Sequence, residues 1–415
     1  MKSPIEYLRS LKRLSRDLHP YEPLITVELS RERLLHNLDE FQKIAPKNNA
    51  TDVGVIAPVL KSNAYGHGLF EIAEILEKEN RNGSIPFFVV DSYFEAVALR
   101  ARSIKTPLLI VGYTRPETIA TSHLKHIAFT ITDIETLRTI SKIAATGNAS
   151  KKTSSISLHI KIDTGMRRQG ILPIEIAEAI PLLRKNPVLS VEGVLTHLSD
   201  ADNPDHSFTE KQISAWNDIA RRFKTEFPSL KYIHASASDG HRFTKKIEAN
   251  VSRLGIGLYG LSDDVEFARK MNLKPVLQMK TIVTGVKKLK AGETTGYGNT
   301  FTAWKDTSIA TIPVGYFEGL NRKLSNNGAV IVLKNDGSRA ICPIVGRVSM
   351  NITTVEISTE EKASTISAIR VGSSVIVISN TVTDPNSIAS IAKKSSTITY
   401  EIAAHIPAHL KRIVV

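Results

Sequence analysis

Cysteine is almost absent from this sequence, and its scarcity limits the chemistry available to the protein. The 415 residues include a single cysteine, Cys342, so an intramolecular disulfide framework and a multi-cysteine metal site are both excluded. Hydrophobic runs are short as well. None approaches the roughly 20 residues needed to cross a bilayer, and the N-terminus lacks the apolar stretch of a signal peptide. We therefore predict a cytoplasmic protein with no metal site.

Acidic residues are outnumbered, with 41 Asp and Glu against 54 Lys and Arg, which leaves a net charge of +13. Such an excess can indicate a nucleic-acid or anionic-membrane partner. The basic residues are dispersed, however, and no block of five or six like charges occurs. We therefore predict neither nucleic acid nor membrane as a partner.

Residues 1–24 are predicted to form an N-terminal helical extension. Ser3, Pro4 and Glu6 have the types and order that begin a helix, namely a cap, a first helical position and a capping-box acid. An apolar stripe at spacings of three and four follows, formed by Ile5, Leu8, Leu11, Leu14 and Leu18. Such a stripe suits a membrane surface or, as we prefer because acidic residues interrupt the basic face, the protein body or a partner subunit.

Short β-branched runs then alternate with longer segments of helical periodicity, which is the pattern of repeated βα units. Eight strands are predicted, at 53–61, 86–91, 107–112, 127–132, 157–163, 191–197, 231–236 and 251–260. Helices are predicted at 70–78, 94–102, 134–145, 174–185 and 209–227. This order predicts an α/β fold in which residues 25–272 form a (β/α)8 barrel of the TIM type, with its site at the carboxyl ends of the strands. Lys61, Asp163, His197 and Ser238 lie at those ends.

After residue 272 the pattern changes to closely spaced strands separated by Gly, Asn and Asp turns. Strands are predicted at 281–286, 309–314, 329–333, 352–357 and 374–379, with a helix at 387–394 and a last strand at 411–415. Residues 273–415 are therefore predicted to form a second, mainly β domain.

Lys61 is the first candidate for chemistry. It follows an apolar strand, which would present its amine from a rigid element into a partly dry pocket, where a nucleophilic free amine is favoured. Tyr65 and the glycines of the GHG segment at 66–68 come next, and they offer a hydroxyl and backbone N–H groups to an anion. An arbitrary lysine at a strand end usually does no more than extend to solvent, so these neighbours carry the inference.

The segment 61–68, KSNAYGHG, resembles the cofactor-lysine signature of the alanine racemase family. Other fragments of that family follow in the same order: KIDTGMRR at 161–168, TH at 196–197, HAS at 234–236, RLGI at 253–256, GYG at 296–298, PVGY at 313–316 and GRVSM at 346–350. One fragment alone is weak evidence, whereas the ordered set spans most of the chain. The resemblance implies a pyridoxal 5′-phosphate enzyme with a barrel and a β domain, which acts as a head-to-tail homodimer on a small amino-acid substrate.

The resemblance also implies two catalytic bases. Lys61 would bind the cofactor covalently and act as one base, and Tyr297 of the partner subunit would be the other, on the opposite face of the substrate Cα. Racemisation needs bases on both faces, because one removes the α-proton and the other returns it. His197 would lie against the cofactor ring and relay help to the tyrosine. Arg253, which can only donate hydrogen bonds, would face the pyridine nitrogen.

The remaining implied contacts hold the phosphate and the substrate. Hydroxyls and backbone amides would bind the phosphate, at Tyr65, Ser238, Gly255 and Ile256. Arg168 and Met350 would bind the substrate, with support from Lys161, Tyr316 and Asn351. Lys161 would brace Arg168 either as a carbamate or as an ordinary buried lysine.

Several positions depart from the family pattern. They are Arg167 for glycine, Gln169 for leucine, Ala237 for asparagine, Asn351 for aspartate, and Ala408, by an ungapped count, for a pocket-narrowing tyrosine. The two bases and Arg253 are kept, so racemase chemistry is expected. A wider pocket at Ala408 would admit serine or larger residues, because a pocket discriminates one methylene by only about 1–3 kcal/mol.

Two other functions share parts of this pattern. A barrel-type amino-acid decarboxylase would use a cysteine near the substrate and an acidic partner for the pyridine nitrogen, where this sequence has Arg253 and only Cys342. A non-enzymatic pyridoxal phosphate carrier would need neither the β domain nor Tyr297. We therefore predict interconversion of L-alanine and D-alanine, supplying D-alanine for peptidoglycan, with a broader-specificity racemase as the alternative.

Overall fold

The computed structural model describes residues 22–47, 54–80, 83–145, 155–334, 336–357 and 369–415. The predicted N-terminal helix, with its stripe from Ile5 to Leu18, lies outside the described residues. No helix within the described ranges has the length and apolar character needed to cross a bilayer.

The first nine strands, numbered in chain order, include a parallel barrel. They are β1 (Thr26–Leu29), β2 (Ile56–Pro58), β3 (Phe88–Val90), β4 (Leu108–Ile110), β5 (Ile127–Ile131), β6 (Ile156–Lys161), β7 (Leu189–Leu195), β8 (Tyr232–His234) and β9 (Ser252–Leu254). Strands β3 to β8 form one parallel sheet in chain order, and β2 pairs with β9. Hydrogen bonds from Leu60 N to Val89 O (2.7 Å) and from Arg253 N to Ser236 O (3.1 Å) join the two sheets at both edges. The predicted α/β barrel is thus confirmed, with all eight strands present and all but β7 shorter than predicted.

The barrel strands carry buried apolar side chains on both faces, because successive side chains point alternately into the barrel and toward the helices. One apolar cluster fills the interior and consists of Ala57, Val59, Phe87, Val89, Leu109, Ala128 and Val251. Their strand neighbours, such as Phe88 and Val90, belong to the larger core that the helices cover. The carboxyl ends of the strands are therefore held in place by well-packed apolar residues on both faces of the sheet.

The helices mostly surround the barrel. They are Arg31–Gln42, Lys61–Tyr65, Leu69–Glu79, Tyr93–Ala101, Pro116–Thr121, Ile134–Ala145, Ile176–Lys185, Ser207–Glu226, Val265–Lys270, Ile388–Lys394 and Thr399–Ala404. Helix Ile134–Ala145 shows why they form, since Ile134, Leu137, Ile140 and Ala144 recur at helical spacing and are buried. Helix Arg31–Gln42 was not predicted, although Ser30 caps it by accepting a hydrogen bond from Arg33 N.

The second part of the chain is mainly β, as predicted. Its strands are β10 (Leu277–Ile282), β11 (Gly285–Leu289), β12 (Thr294–Thr295), β13 (Phe301–Thr302), β14 (Thr307–Ile312), β15 (Ala329–Leu333), β16 (Arg339–Pro343), β17 (Thr353–Ile357), β18 (Ser374–Ile378) and β19 (Lys411–Val414). The predicted strand 281–286 is wrong, because the chain turns between β10 and β11 and Thr284 N bonds to Thr311 O at 2.8 Å.

Strand β1 belongs to the sheet of the second domain. That sheet has the order β16-β15-β18-β10-β1-β19, in which β1 is antiparallel to β10 and parallel to β19. A further sheet has the order β11-β14-β17. Residues 26–29 therefore pair outside the barrel to which the bounds 25–272 assign them. The bounds 25–272 and 273–415 otherwise stay a prediction.

Candidate active site

Polar side chains from five strand ends meet in one cavity at the carboxyl side of the barrel. The cavity has a volume of about 640 Å³. Nine residues of the sequence-predicted site line it: Lys61, Tyr65, Lys161, Arg168, His197, Ser238, Arg253, Gly255 and Ile256. They lie at or just after the carboxyl ends of β2, β6, β7, β8 and β9, so barrel closure brings together residues that are far apart in the sequence. Asp163 lies beside this cavity, where its Oδ1 accepts hydrogen bonds from the backbone N of Gly165 (2.8 Å) and Arg167 (3.1 Å).

Lys61 begins a left-handed turn. The four residues after it have φ angles between 51° and 56°, a region that costs most side chains roughly 1–2 kcal/mol each. The turn is held from outside: Glu95 Oε1 accepts a hydrogen bond from Ser62 N (2.7 Å), and Asn63 Oδ1 accepts one from Leu69 N (2.9 Å). The result is a tight reversal that places Tyr65 in the same cavity as Lys61.

Arg253 is a buried cation whose described partners are all neutral. Its guanidinium donates to the carbonyl oxygens of Thr196 (2.8 Å), His234 (2.9 Å) and Ala235 (3.1 Å). It also donates to Nδ1 of His234 (2.7 Å) and faces Nδ1 of His197 at 3.2 Å. Burial lowers the pKa of Arg253 to about 10, so the side chain stays protonated at neutral pH. It is therefore a fixed donor at the centre of the site.

The guanidinium also fixes the protonation of buried histidines. Because Arg253 can only donate, His234 accepts at Nδ1 and carries its ring proton on Nε2. That nitrogen lies 2.8 Å from His159 Nδ1, which accepts in turn. Burial, together with the guanidinium, lowers the pKa of His159 and of His197 to about 3, and lowers the pKa of His234 well below its ordinary value. All three rings are neutral at neutral pH.

One end of the cavity is a cradle of hydroxyls around a glycine. A Cβ on Gly255 would lie 2.8 Å from Tyr65 Oη and 3.9 Å from Ser238 Oγ, so the missing side chain leaves open space between them. Ser238 Oγ accepts a hydrogen bond from Gly257 N at 3.1 Å. Burial raises the pKa of Tyr65 to about 12, so its phenol keeps its proton and can donate to an anion.

Cationic side chains also line the cavity. Lys161 is buried, and its amine lies 3.4 Å from Gln169 Oε1. Burial, with Arg253 and Arg168 nearby, lowers the pKa of Lys161 to about 8. Arg167, which replaces the family's glycine, has a φ of 57° and so occupies backbone that glycine adopts more readily. This part of the cavity is suited to an anionic group of a ligand.

Four predicted site residues do not reach the cavity of their own chain. Tyr297, Tyr316, Met350 and Asn351 are on the surface of the β domain, and Tyr297 is 72% exposed. Tyr316 and Met350 lie on loops in contact, since the N–H of the residue after Tyr316 donates to Met350 O at 3.0 Å. Asn351 Nδ2 donates to Glu318 Oε1 at 2.7 Å.

The cavity also has walls that sequence reasoning missed, namely Asp91, Tyr113 and Tyr400. Asp91 ended a predicted strand, which is the signal that could have identified it. The expectation for Ala408 is wrong, because Ala408 is exposed and is not among the cavity-lining residues. The ungapped count did not reveal that Tyr400, eight residues earlier, supplies the aromatic wall.

Comparison with known proteins agrees with this geometry. The alanine racemase N-terminal domain matches residues 29–263, and the alanine racemase C-terminal domain matches residues 276–414. The chain belongs to the alanine racemase family. An alanine racemase of Lactobacillus acidophilus is 34% identical over 361 residues, which cover 86% of this chain and 89% of the relative. Family membership makes the protein an isomerase that racemises amino acids.

Solved structures resemble this chain over nearly all of its length. An alanine racemase of Clostridium difficile 630 has a TM-score of 0.81 at 27% identity, covering 95% of this chain and 96% of the other. A histidine racemase of Leuconostoc mesenteroides has a TM-score of 0.78 at 25% identity, covering 96% and 99%. The alanine racemase fold thus occurs with more than one amino-acid substrate.

Proposed function

We propose that this alanine racemase family member interconverts L-alanine and D-alanine with pyridoxal 5′-phosphate bound at Lys61. The observation that carries the proposal is the cavity itself, which collects an amine, a hydroxyl cradle and a fixed guanidinium from five strand ends. The proposal includes a cytoplasmic homodimer with shared active sites and a supply of D-alanine for peptidoglycan.

The cavity fits the cofactor by its chemistry. Lys61 offers the amine for an aldehyde, and the open space at Gly255 between Tyr65 and Ser238 offers protonated hydroxyls to a phosphate. Backbone amides of Gly255 and Ile256 would complete that end. When bound, pyridoxal phosphate supplies the electron sink for the carbanion that forms when the α-proton leaves.

Arg253 would tune this sink from the position facing the pyridine nitrogen. Its partners are three carbonyls and two imidazoles, so nothing nearby can take its proton at neutral pH. A donor-only neighbour leaves the ring nitrogen as an acceptor without its own proton. Arg253 would therefore limit the electron sink that the cofactor supplies, which favours simple return of the proton to the substrate over side reactions.

The two bases would come from two subunits. Lys61 would hold a proton at Nζ on one face of the substrate, and Tyr297 of the partner subunit would hold one at its phenol oxygen on the other face. The exposure of Tyr297 in the single chain supports this, because a base needs a pocket that this chain alone does not provide around it. Exposed Phe317, Met350 and Ile352 offer apolar surface for the same contact.

Arg168 would bind the substrate carboxylate, and Lys161 would support Arg168 from the same side of the cavity. Arg168 lines the wall beside Gln169, and Lys161 lies behind it. A lysine whose pKa falls to about 8 has an appreciable neutral fraction near neutral pH, which is the form that reacts with carbon dioxide. Carbamylation of Lys161 is thus compatible with its surroundings.

A broader-specificity racemase is the second candidate. The observation that favours it is the full-length likeness to a histidine racemase, since the same fold there accepts a larger side chain. Turnover of serine and larger amino acids would support it, and a preference for alanine above a thousandfold would exclude it. A decarboxylase is disfavoured because Cys342 is buried in β16, outside the cavity lining. A carrier is disfavoured because it needs no second base.

The test is to purify the protein, fix any cofactor with borohydride and map the modified peptide. The proposal expects modification at Lys61, which disappears in Lys61→Ala and persists in Lys78→Ala, a change on an exposed helix position. L-alanine and D-alanine are then incubated separately in deuterated water. Each should gain α-deuterium while converting to its enantiomer. Absence of a fixed cofactor, or exchange without conversion, would contradict the proposal.

A further inference from the structure

The cavity contains one carboxylate among several cations. Its described lining includes Lys61, Lys161, Arg168 and Arg253, and the acidic residue among them is Asp91. Asp91 Oδ1 lies 3.9 Å from Lys61 Nζ, with the two side chains 54% and 37% exposed respectively. The amine on which the proposed function depends therefore has an anionic neighbour in its own chain.

The Lys61–Asp91 pair is set by a second carboxylate that fixes both backbones. Glu95 Oε1 accepts a hydrogen bond from Ser62 N at 2.7 Å, and Glu95 Oε2 accepts one from Asp91 N at 2.8 Å. One side chain thus ties the residue after Lys61 to Asp91 itself. This clamp keeps the ends of β2 and β3 in a fixed relation.

The other side of Asp91 is fixed by a glycine. Gly112 N donates to Asp91 O at 2.9 Å. A Cβ on Gly112 would lie 2.3 Å from Asp91 O and 3.1 Å from Asp91 Oδ2, so a side chain there would displace the carboxylate. The backbone of Asp91 is therefore held on both sides, and its carboxylate belongs to the lining of the cavity.

The charges that line the cavity around Lys61 are otherwise positive, and the Asp91 carboxylate opposes them. Lys161, Arg168 and Arg253 line the same cavity as Lys61, so their positive charges repel a positive charge on its amine. His197 is neutral and Tyr65 keeps its proton, so neither offsets them. Asp91 is the lining group that attracts an ammonium at Lys61.

We propose that Asp91 is a positioning residue for Lys61, which holds the Lys61 ammonium at the cavity wall and offsets the three neighbouring cations. The inference rests on the proposed function, in which Lys61 gains a proton when it acts as a base. It has a second consequence in the chain without cofactor. Because only a neutral amine attacks an aldehyde, Asp91 makes free Lys61 less reactive and better ordered.

The experiment measures the reactivity of that one lysine. Full-length protein, released from any cofactor with hydroxylamine, is treated at neutral pH with formaldehyde and cyanoborohydride, and the rate of methylation at Lys61 is followed by peptide mass spectrometry. Asp91→Asn should raise this rate about two- to fivefold, the effect of one partly exposed ion pair. Asp91→Glu, which keeps the charge, should restore a slow rate. Asp218→Asn, on the outer helix Ser207–Glu226, is the matched control and should change nothing.

The dependence of the methylation rate on ionic strength provides a second test of the same charge. Raising ionic strength toward 1 M should shrink the difference in Lys61 methylation rate between the unchanged protein and Asp91→Asn, because salt screens the charge that the substitution removes. An unchanged or lower rate in Asp91→Asn at low salt, or a rate difference that does not shrink with salt, would overturn the inference. The labelling needs neither cofactor nor substrate, so this result is independent of whether pyridoxal phosphate is fixed at Lys61.

Discussion

Acid should unfold this protein well above the pH at which carboxylates become protonated. Among the described residues, four histidine side chains are fully or almost fully buried: His67, His159, His234 and His241. Burial lowers the pKa of His67 and His241 from 6.5 to about 4 and that of His159 to about 3, and it lowers the pKa of His234 well below 6.5. Between pH 6.5 and pH 4 the unfolded chain thus binds more protons than the folded one. Stability rises with pH in that window and is lost as the pH falls through it.

The magnitude follows from the size of these shifts. At pH 5 each of the four rings costs about 2 kcal/mol of stability, and together they cost about 8 kcal/mol. That loss is comparable with the whole free energy of unfolding of a typical protein, about 5–15 kcal/mol. The reason is visible at His241, whose Nδ1–H donates to Ala237 O at 2.7 Å while Nε2 is buried with no hydrogen-bond partner in the described chain. A proton added at Nε2 has no acceptor.

The assay is urea denaturation, followed by fluorescence at pH 7.5, 6 and 5. The midpoint should fall steeply below pH 6.5 and approach zero near pH 5. In His241→Asn, which keeps a donor for Ala237 O and removes the titrating ring, about 2 kcal/mol of the loss of stability at pH 5 should disappear. A midpoint that is flat from pH 7.5 to pH 5, or a variant with the full pH dependence, would refute the reasoning.

Two further predictions concern the cofactor cradle and the turn after Lys61. Tyr65→Phe removes a hydroxyl that would donate to a phosphate, so pyridoxal phosphate titrated by absorbance should bind about 10- to 100-fold more weakly. Tyr93→Phe, whose hydroxyl lies 3.2 Å from a serine outside the cavity, should bind normally; equal affinity in both would exclude the cradle. Gly66→Ala and Gly292→Ala both add a Cβ at positive φ, but only at Gly66 would it lie 1.9 Å from a backbone oxygen, that of Ala403. Gly66→Ala should therefore lower the melting temperature much further, and equal losses would contradict the clash.

The barrel was predictable because each of its strands carries a local signal. Recurring apolar residues that are largely buried, followed by polar residues at the strand end, mark strands such as β6 and β7 without knowledge of their partners. Lys61, His197 and Ser238 could be placed by the same rule, since a strand end in a barrel points to the site. The ordered family fragments then supplied the roles.

Long-range contacts account for what the sequence could not predict. The left-handed turn after Lys61 contains ordinary residues, and Glu95, more than thirty positions away, holds it. Strand β1 pairs with segments near the other end of the chain, so its neighbours give no sign of its sheet. Ala408 was misplaced because counting along the chain ignores the path of the backbone, which brings Tyr400 to the cavity instead.

The central claim is that Lys61 and Tyr297 of the partner subunit act at one site, and mixing two inactive variants tests it most directly. Lys61→Ala and Tyr297→Phe proteins, each expected to lack racemisation in both directions because one of the two bases is missing, are refolded together so that subunits exchange. In the mixed dimer both substitutions fall in one site and the other site is intact, so random exchange should restore about a quarter of the unmodified activity. If the two residues act within one subunit, every site in the mixture stays defective and no activity returns, which would contradict the account.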